Sequence, residues 1–130
     1  MNCLGVDWGK SKLGLAIGDD QLKIATPFKI LKIKTYASVV SDLNKIVKEE
    51  AIGRLVLGRP RNLAGDQFTS TDFEKFVKEL NGIALPVSFV DERLSTKLAV
   101  KKNLERPKHQ TKDDDDLAAA EILQTYFDQM

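Results

Sequence analysis

The chain has 130 residues, of which 42% are hydrophobic and 30% charged, the balance of an ordinary globular protein able to bury one core without staples, so a single domain over 1–130 is expected. The formal net charge of +1 argues neither for nor against a nucleic-acid partner. No apolar run could span a membrane, no signal-peptide layout opens the chain, and the lone Cys3 excludes an internal disulfide, so a cytoplasmic protein with no membrane partner is expected.

The first apolar run, "NCLGVDWG", is broken by Asp7. The turn "GKSK" then leads into a second run, "LGLAIGDD", and together they read as a hairpin. "LKIATPFKILKI" is extended and rich in β-branched residues, with Pro27 marking a bend or a sheet edge. From Tyr36 to Glu50, Val39, Leu43, Ile46 and Val47 recur at helical spacing. "IGRLVLG" is a buried strand and "RPRNLAGDQ" a loop. A second helix runs to about Leu80 with Phe73, Phe76 and Val77 on one face. "LPVSFVDE" is the last strand, followed by a helix over roughly Ser95–Leu104, the basic loop "ERPKHQTK" and a final helix that begins in "DDDD". This order predicts an α/β fold with a mixed sheet, in which three antiparallel strands are followed by parallel strands with crossover helices.

Acidic residues from three distant places fall at the ends of these elements: Asp7, the pair Asp91–Glu92, and the run 113–116. The carboxyl ends of parallel strands line the crevice where open α/β sheets hold ligands. A cluster of carboxylates there is expensive unless it holds a cation. Oxygen donors without Cys or His favour Mg²⁺ or Mn²⁺ over zinc. Two such ions can activate water and stabilise the leaving oxygen of a phosphodiester. Taken singly, Asp7 could cap a turn, Glu92 could merely precede a helix, and the aspartates could satisfy a helix N-terminus.

"GVDWGKSKLGLAIGD", "LVLGRPRNLAGD", "VDERLST" and "DDLAAAEILQTYF" resemble, in order and spacing, the YqgF family of bacterial pre-16S rRNA nucleases, also called Holliday-junction-resolvase-like proteins. The resemblance covers nearly the whole chain. It implies a ribonuclease-H-like fold, with a five-stranded mixed sheet flanked by helices, and it implies an endonuclease dependent on Mg²⁺ or Mn²⁺. Precursor 16S rRNA is the favoured substrate and branched four-way DNA the alternative; a junction resolvase must cut two strands and so works as a dimer, whereas an rRNA nuclease can be a monomer. The family's acids map onto Asp7, Glu92 and Asp115 as catalytic and metal-binding residues. The family pattern selects Asp115 because it leaves two residues before Ala118–Ala119. Helical geometry is compatible, since Asp115 shares a face with Ala119, Ile122 and Tyr126, but Asp116 also lies near the apolar side. Asp113 and Asp114 are then expected as caps.

The basic positions Lys10, Lys12, Arg59, Arg61, Asn62 and Arg93 are the expected nucleic-acid contacts, with "GRPRNLAGD" the strongest candidate for touching phosphate. The family usually has an apolar residue where Arg59 stands. Arg93 could equally form a structural salt bridge. Cys3 and Trp8 read as core residues and His109 as a surface residue. "DWGKSKLG" also resembles the first phosphate loop of sugar kinases, actin and Hsp70-type ATPases, but those proteins close two lobes around ATP and 130 residues supply one. A binding module of the same fold that has lost catalysis is the other class considered. It gains nothing from a retained set of acids that repel phosphate.

Overall fold

Apolar alternation decides which side of each strand is buried, and the computed structural model shows both sides covered. It describes residues 1–9, 11–59, 70–91 and 115–130, with backbone alone for Ser70, Thr71, Asp115 and Asp116. The strands are β1 (Asn2–Trp8), β2 (Lys12–Asp19), β3 (Ile24–Lys32), β4 (Ile52–Arg59) and β5 (Val87–Asp91). The described helices are α1 (Tyr36–Glu49), α2 (Ser70–Leu80) and α3 (Asp115–Asp128). The five strands lie in the order β3-β2-β1-β4-β5. β1 pairs antiparallel with β2 and β2 with β3, while β4 runs parallel to β1 and β5 parallel to β4. The expected mixed sheet is therefore present. The helix expected over Ser95–Leu104 and most of the "RPRNLAGDQ" and "ERPKHQTK" loops lie outside the described residues.

Pro27 sits on the edge strand β3, where its missing N–H costs the sheet nothing, and the β2–β3 register shifts between Leu15 and Ala16 beside it. The edge reading of Pro27 holds. The last strand starts at Val87, two residues later than "LPVSFVDE" suggests. Pro86 contributes only its carbonyl, which accepts from the Leu55 N–H at 3.0 Å.

One face of the sheet packs on α1 and α2. Leu4, Val6 and Trp8 from β1, Leu13 and Leu15 from β2, and Leu55 and Leu57 from β4 join Val39, Leu43, Ile46, Phe73 and Phe76 in one buried cluster. Trp8 is a core residue, as expected, edge-on to Phe73 and stacked near Phe76 at 5.8 and 6.4 Å between centroids. α1 begins at a capping box, in which the Thr35 hydroxyl accepts from the Ser38 N–H at 3.0 Å.

The opposite face packs on α3. Cys3, Ala16, Val56 and Val90 meet Ala119, Ala120, Ile122, Leu123 and Phe127. Small residues let this helix lie close. A Cβ added to Gly5 would stand 2.9 Å from both the Ala119 carbonyl oxygen and Leu123 Cβ, and one at Gly18 would stand 2.7 Å from the Phe127 ring.

Candidate active site

Alternation along β1 places Cys3, Gly5 and Asp7 on the α3 face, and Leu4, Val6 and Trp8 on the other. Asp7 is half-buried one residue before the end of β1 and stands opposite Gly14 of β2. The last parallel pair of the β1–β4 ladder is Val6 with Leu57, so Asp7 lies one step further along, level with Gly58 and its β5 partner Val90. It is thus at the carboxyl end of the parallel strands, the end at which open α/β sheets generally hold ligands.

The helix on that face is aimed at the same place. Phe127 lies over Gly18, which pairs with Cys3, while Leu123 and Ala119 lie over Gly5, so α3 runs antiparallel to β1. Two strand residues, from Gly5 to Asp7, span roughly 6.6 Å, which is about one helical turn. Going back one turn from Ala119 brings the backbone of Asp115 and Asp116 to the level of Asp7. The positive end of the α3 macrodipole therefore faces this end of the sheet, which favours anionic groups there. Both positions continue the stripe that includes Ala119, Ala120, Leu123 and Phe127. The backbone geometry, like helical periodicity, does not separate Asp115 from Asp116; the selection of Asp115 rests on the family pattern.

Asp91 is not on this face. It pairs with Arg59 at the end of the β4–β5 ladder, two residues on from the Leu57–Phe89 pair, and so shares the α2 side of the sheet with Trp8. The remaining acid of that pair, Glu92, lies outside the described residues, as do Lys10, Arg61, Asn62, Arg93 and His109. Lys12, two residues before Gly14, belongs to the Asp7 face. It is half-buried at the mouth of the hairpin, where the Gly9 N–H donates to the Lys12 carbonyl at 3.0 Å. Arg59 goes elsewhere: its guanidinium lies 4.6 Å from the centroid of the Phe89 ring on the α2 side. Arg54, at the opposite end of β4, donates to the Ser88 hydroxyl at 2.8 Å and takes no part.

Among the described residues no three His, Cys, Asp or Glu side chains form a group able to hold a metal ion. Of the expected ligands, Asp7 alone has its side chain among them. Its donor is a hard carboxylate, and Cys3, the soft donor on the same strand, is buried among apolar neighbours, where burial pushes its thiol pKa up. The donor chemistry fits Mg²⁺ or Mn²⁺ and does not fit a thiolate-bound metal.

A family model described as Holliday junction resolvase, RuvX, matches residues 1–129. The chain belongs to this family. A protein of Roseobacter denitrificans named "Putative pre-16S rRNA nuclease" is 34% identical, the match covering 98% of this chain and 82% of that protein. One of the same name from Dictyoglomus thermophilum is 35% identical, with 98% and 96% covered. In structure the chain is similar to the Thermus thermophilus RuvC bound to a Holliday junction substrate, with a TM-score of 0.66 at 13% identity over 98% of this chain and 93% of that one. The fowlpox virus resolvase in complex with junction DNA gives a TM-score of 0.61 at 14% identity, covering 99% and 98%. The RuvX chain accordingly has the ribonuclease-H-like fold of these resolvases and nucleases.

Two features escape a reading of the sequence. Gly5 looks like a flaw in a strand, although an isolated strand glycine is itself a signal of close backbone approach. Phe89 lies within the strand "LPVSFVDE", and nothing in that run signals that it is 39% exposed on the edge strand and carries Arg59.

Proposed function

We propose that this RuvX chain is a divalent-metal-dependent endonuclease that matures the 5′ end of precursor 16S rRNA in the cytoplasm, through a single domain over 1–130. Family and fold support a nuclease. The observation that carries the finer reading is the placement of Asp7 at the carboxyl end of the parallel strands, on the face that the N-terminal end of α3 reaches. Asp7, Glu92 and Asp115 are the residues that would hold Mg²⁺ or Mn²⁺. When bound, the ion supplies water activation and charge neutralisation at the phosphate. The chain's own part is to fix the acids and the phosphate. The β1–β2 ladder holds Asp7 opposite Gly14, α3 offers the positive end of its dipole, and Lys12 brings a cation to the same face. Lys10, Arg61, Asn62 and Arg93 are assigned the remaining phosphate contacts. No histidine base and no covalent intermediate are needed.

The name carried by the relatives favours the rRNA substrate. Cleavage of four-way DNA by a dimer is the second reading, favoured by the family description. The deciding experiment incubates one preparation with precursor 16S rRNA and with a four-way junction, with Mg²⁺, with Mn²⁺ and in EDTA. Cutting of the rRNA with either ion and none in EDTA is expected. Asp7→Asn should lose at least about a hundredfold in rate, the scale on which loss of one preorganised electrostatic contact acts. Full activity of that variant, or of wild type in EDTA, overturns the mechanism, and cutting of the junction alone overturns the substrate.

A further inference from the structure

The α2 side of the same sheet edge carries an aromatic ledge that the proposed chemistry does not use. Phe89 is on the edge strand β5 and 39% exposed, one of the few large hydrophobic residues so exposed among those described. Its ring is held from beneath: Phe73 meets it at 6.3 Å and 69°, and Phe73 in turn meets the buried Trp8 at 5.8 Å and 68°. The Arg59 guanidinium also lies over this ring, 4.6 Å from the centroid. Arg59 is the last residue of β4 and exposed, and it sits diagonally across the ladder from Phe89, which pairs with Leu57.

We infer that Arg59 and Phe89 form a stacking site for an unpaired nucleotide of the RNA substrate, next to the cleaved segment. The inference rests on the nuclease reading and adds a substrate requirement to it. The part-exposed Phe89 ring and the guanidinium beside it are both planar groups on which a base can stack, and the N–H groups of Arg59 can also grip a phosphate. The rings beneath hold Phe89 in place, so little side-chain freedom is lost on binding. Position completes the argument. Arg59 is one strand across and one residue beyond Asp7, which puts their backbones roughly 6 Å apart by strand spacing and rise. The two side chains leave opposite faces of the sheet. A strand crossing the carboxyl edge between them is therefore bent, and a single strand accepts that bend more readily than a duplex.

The test uses the full-length Asp7→Asn protein, so that nothing is cut, and fluorescence anisotropy with a hairpin RNA that carries a short single-stranded tail. A blunt hairpin and tailed hairpins with one abasic site at each tail position serve as comparisons. The tailed hairpin should bind roughly tenfold more tightly than the blunt one, with the gain lost at one or two abasic positions. Adding Phe89→Leu, or Arg59→Lys, which keeps the charge and removes the plane, should remove the same gain and make binding indifferent to abasic sites. Thermal melts check that Phe89→Leu folds, and the exposed Arg59→Lys variant carries the test if it does not. Equal binding of tailed and blunt hairpins overturns the ledge while leaving the nuclease reading standing. Retention of base dependence in Arg59→Lys and in a folded Phe89→Leu also overturns it. Failure to bind any of the RNAs overturns both.

Discussion

The two faces of the sheet are built from different materials. The α1–α2 face is made of large side chains, with Trp8, Phe73, Phe76 and Tyr36 in ring contact, and tolerates space between backbones because the rings fill it. The α3 face is made of Gly5, Gly18, Ala16, Ala119 and Ala120, and backbone lies nearly on backbone. The first arrangement supplies most of the large buried apolar groups. The second buries less per residue but leaves little play in where the helix sits. A site that must place acids from β1 and from a helix end within reach of one cation belongs on the second face.

The comparison can be broken from either side. Phe76 is fully buried between Trp8 and Tyr36, so Phe76→Ala should cost about 3–5 kcal/mol of folding stability. The protein that remains folded should still cut at its normal rate. Denaturant melts with cleavage assays under native conditions check this, and a rate loss beyond the unfolded fraction would show that the two faces are not separable. Gly5→Ala is the reverse case. The added methyl meets backbone at 2.9 Å and costs about 1–3 kcal/mol, and it must lift α3. Because the start of α3 lies level with Asp7, cleavage should fall by more than the lost stability explains. Activity that merely tracks the folded fraction would count against the proposed site.

Smaller changes sharpen the contrast. Thr35→Ala removes the α1 cap and should cost about 1 kcal/mol with cleavage unchanged, again because α1 serves the ring face. Ala51 follows the end of the same helix at φ 51°, a left-handed conformation that suits glycine, so Ala51→Gly should raise stability by up to about 1 kcal/mol. Alkaline pH gives the finest probe. Burial raises the Cys3 thiol above its ordinary 9.0, so the folded state holds this proton more tightly than the unfolded chain. The contribution of the thiol is complete below pH 9.0 and is lost as pH rises through the folded value. Tyr36, on the ring face, is raised above 10.0 chiefly by burial and then by the charge of Asp72, and its contribution fades later. Cys3→Ala should therefore flatten the first part of the alkaline decline in melting temperature and leave the second. An unchanged profile would exclude the thiol as its source.

Much of this arrangement was legible in the residues. Two short apolar runs, "NCLGVDWG" and "LGLAIGDD", with a glycine-bearing turn between them read as the hairpin that β1 and β2 form. The helical spacing of Val39, Leu43 and Ile46 is enough to require α1, because no other conformation puts them on one side. The acids at the ends of β1 and at the start of the last helix were visible as a pattern, and the alanines of α3 signalled close packing. What alternation alone does not contain is the identity of the two faces. Asp91 and Glu92, or Arg59 and its neighbours, look equally able to reach Asp7 until parallel register ties Leu57 to Phe89 and Arg59 to Asp91. That register comes from long-range pairing between strands separated by a helix, and a slip of one residue would exchange the faces. Residue pattern is thus enough for which elements form and which residue types crowd their ends. Only the tertiary structure decided that Asp7 faces α3 while Arg59 and Asp91 face α2, because a side chain's direction is set by the partner its strand is paired with and the helix that covers it.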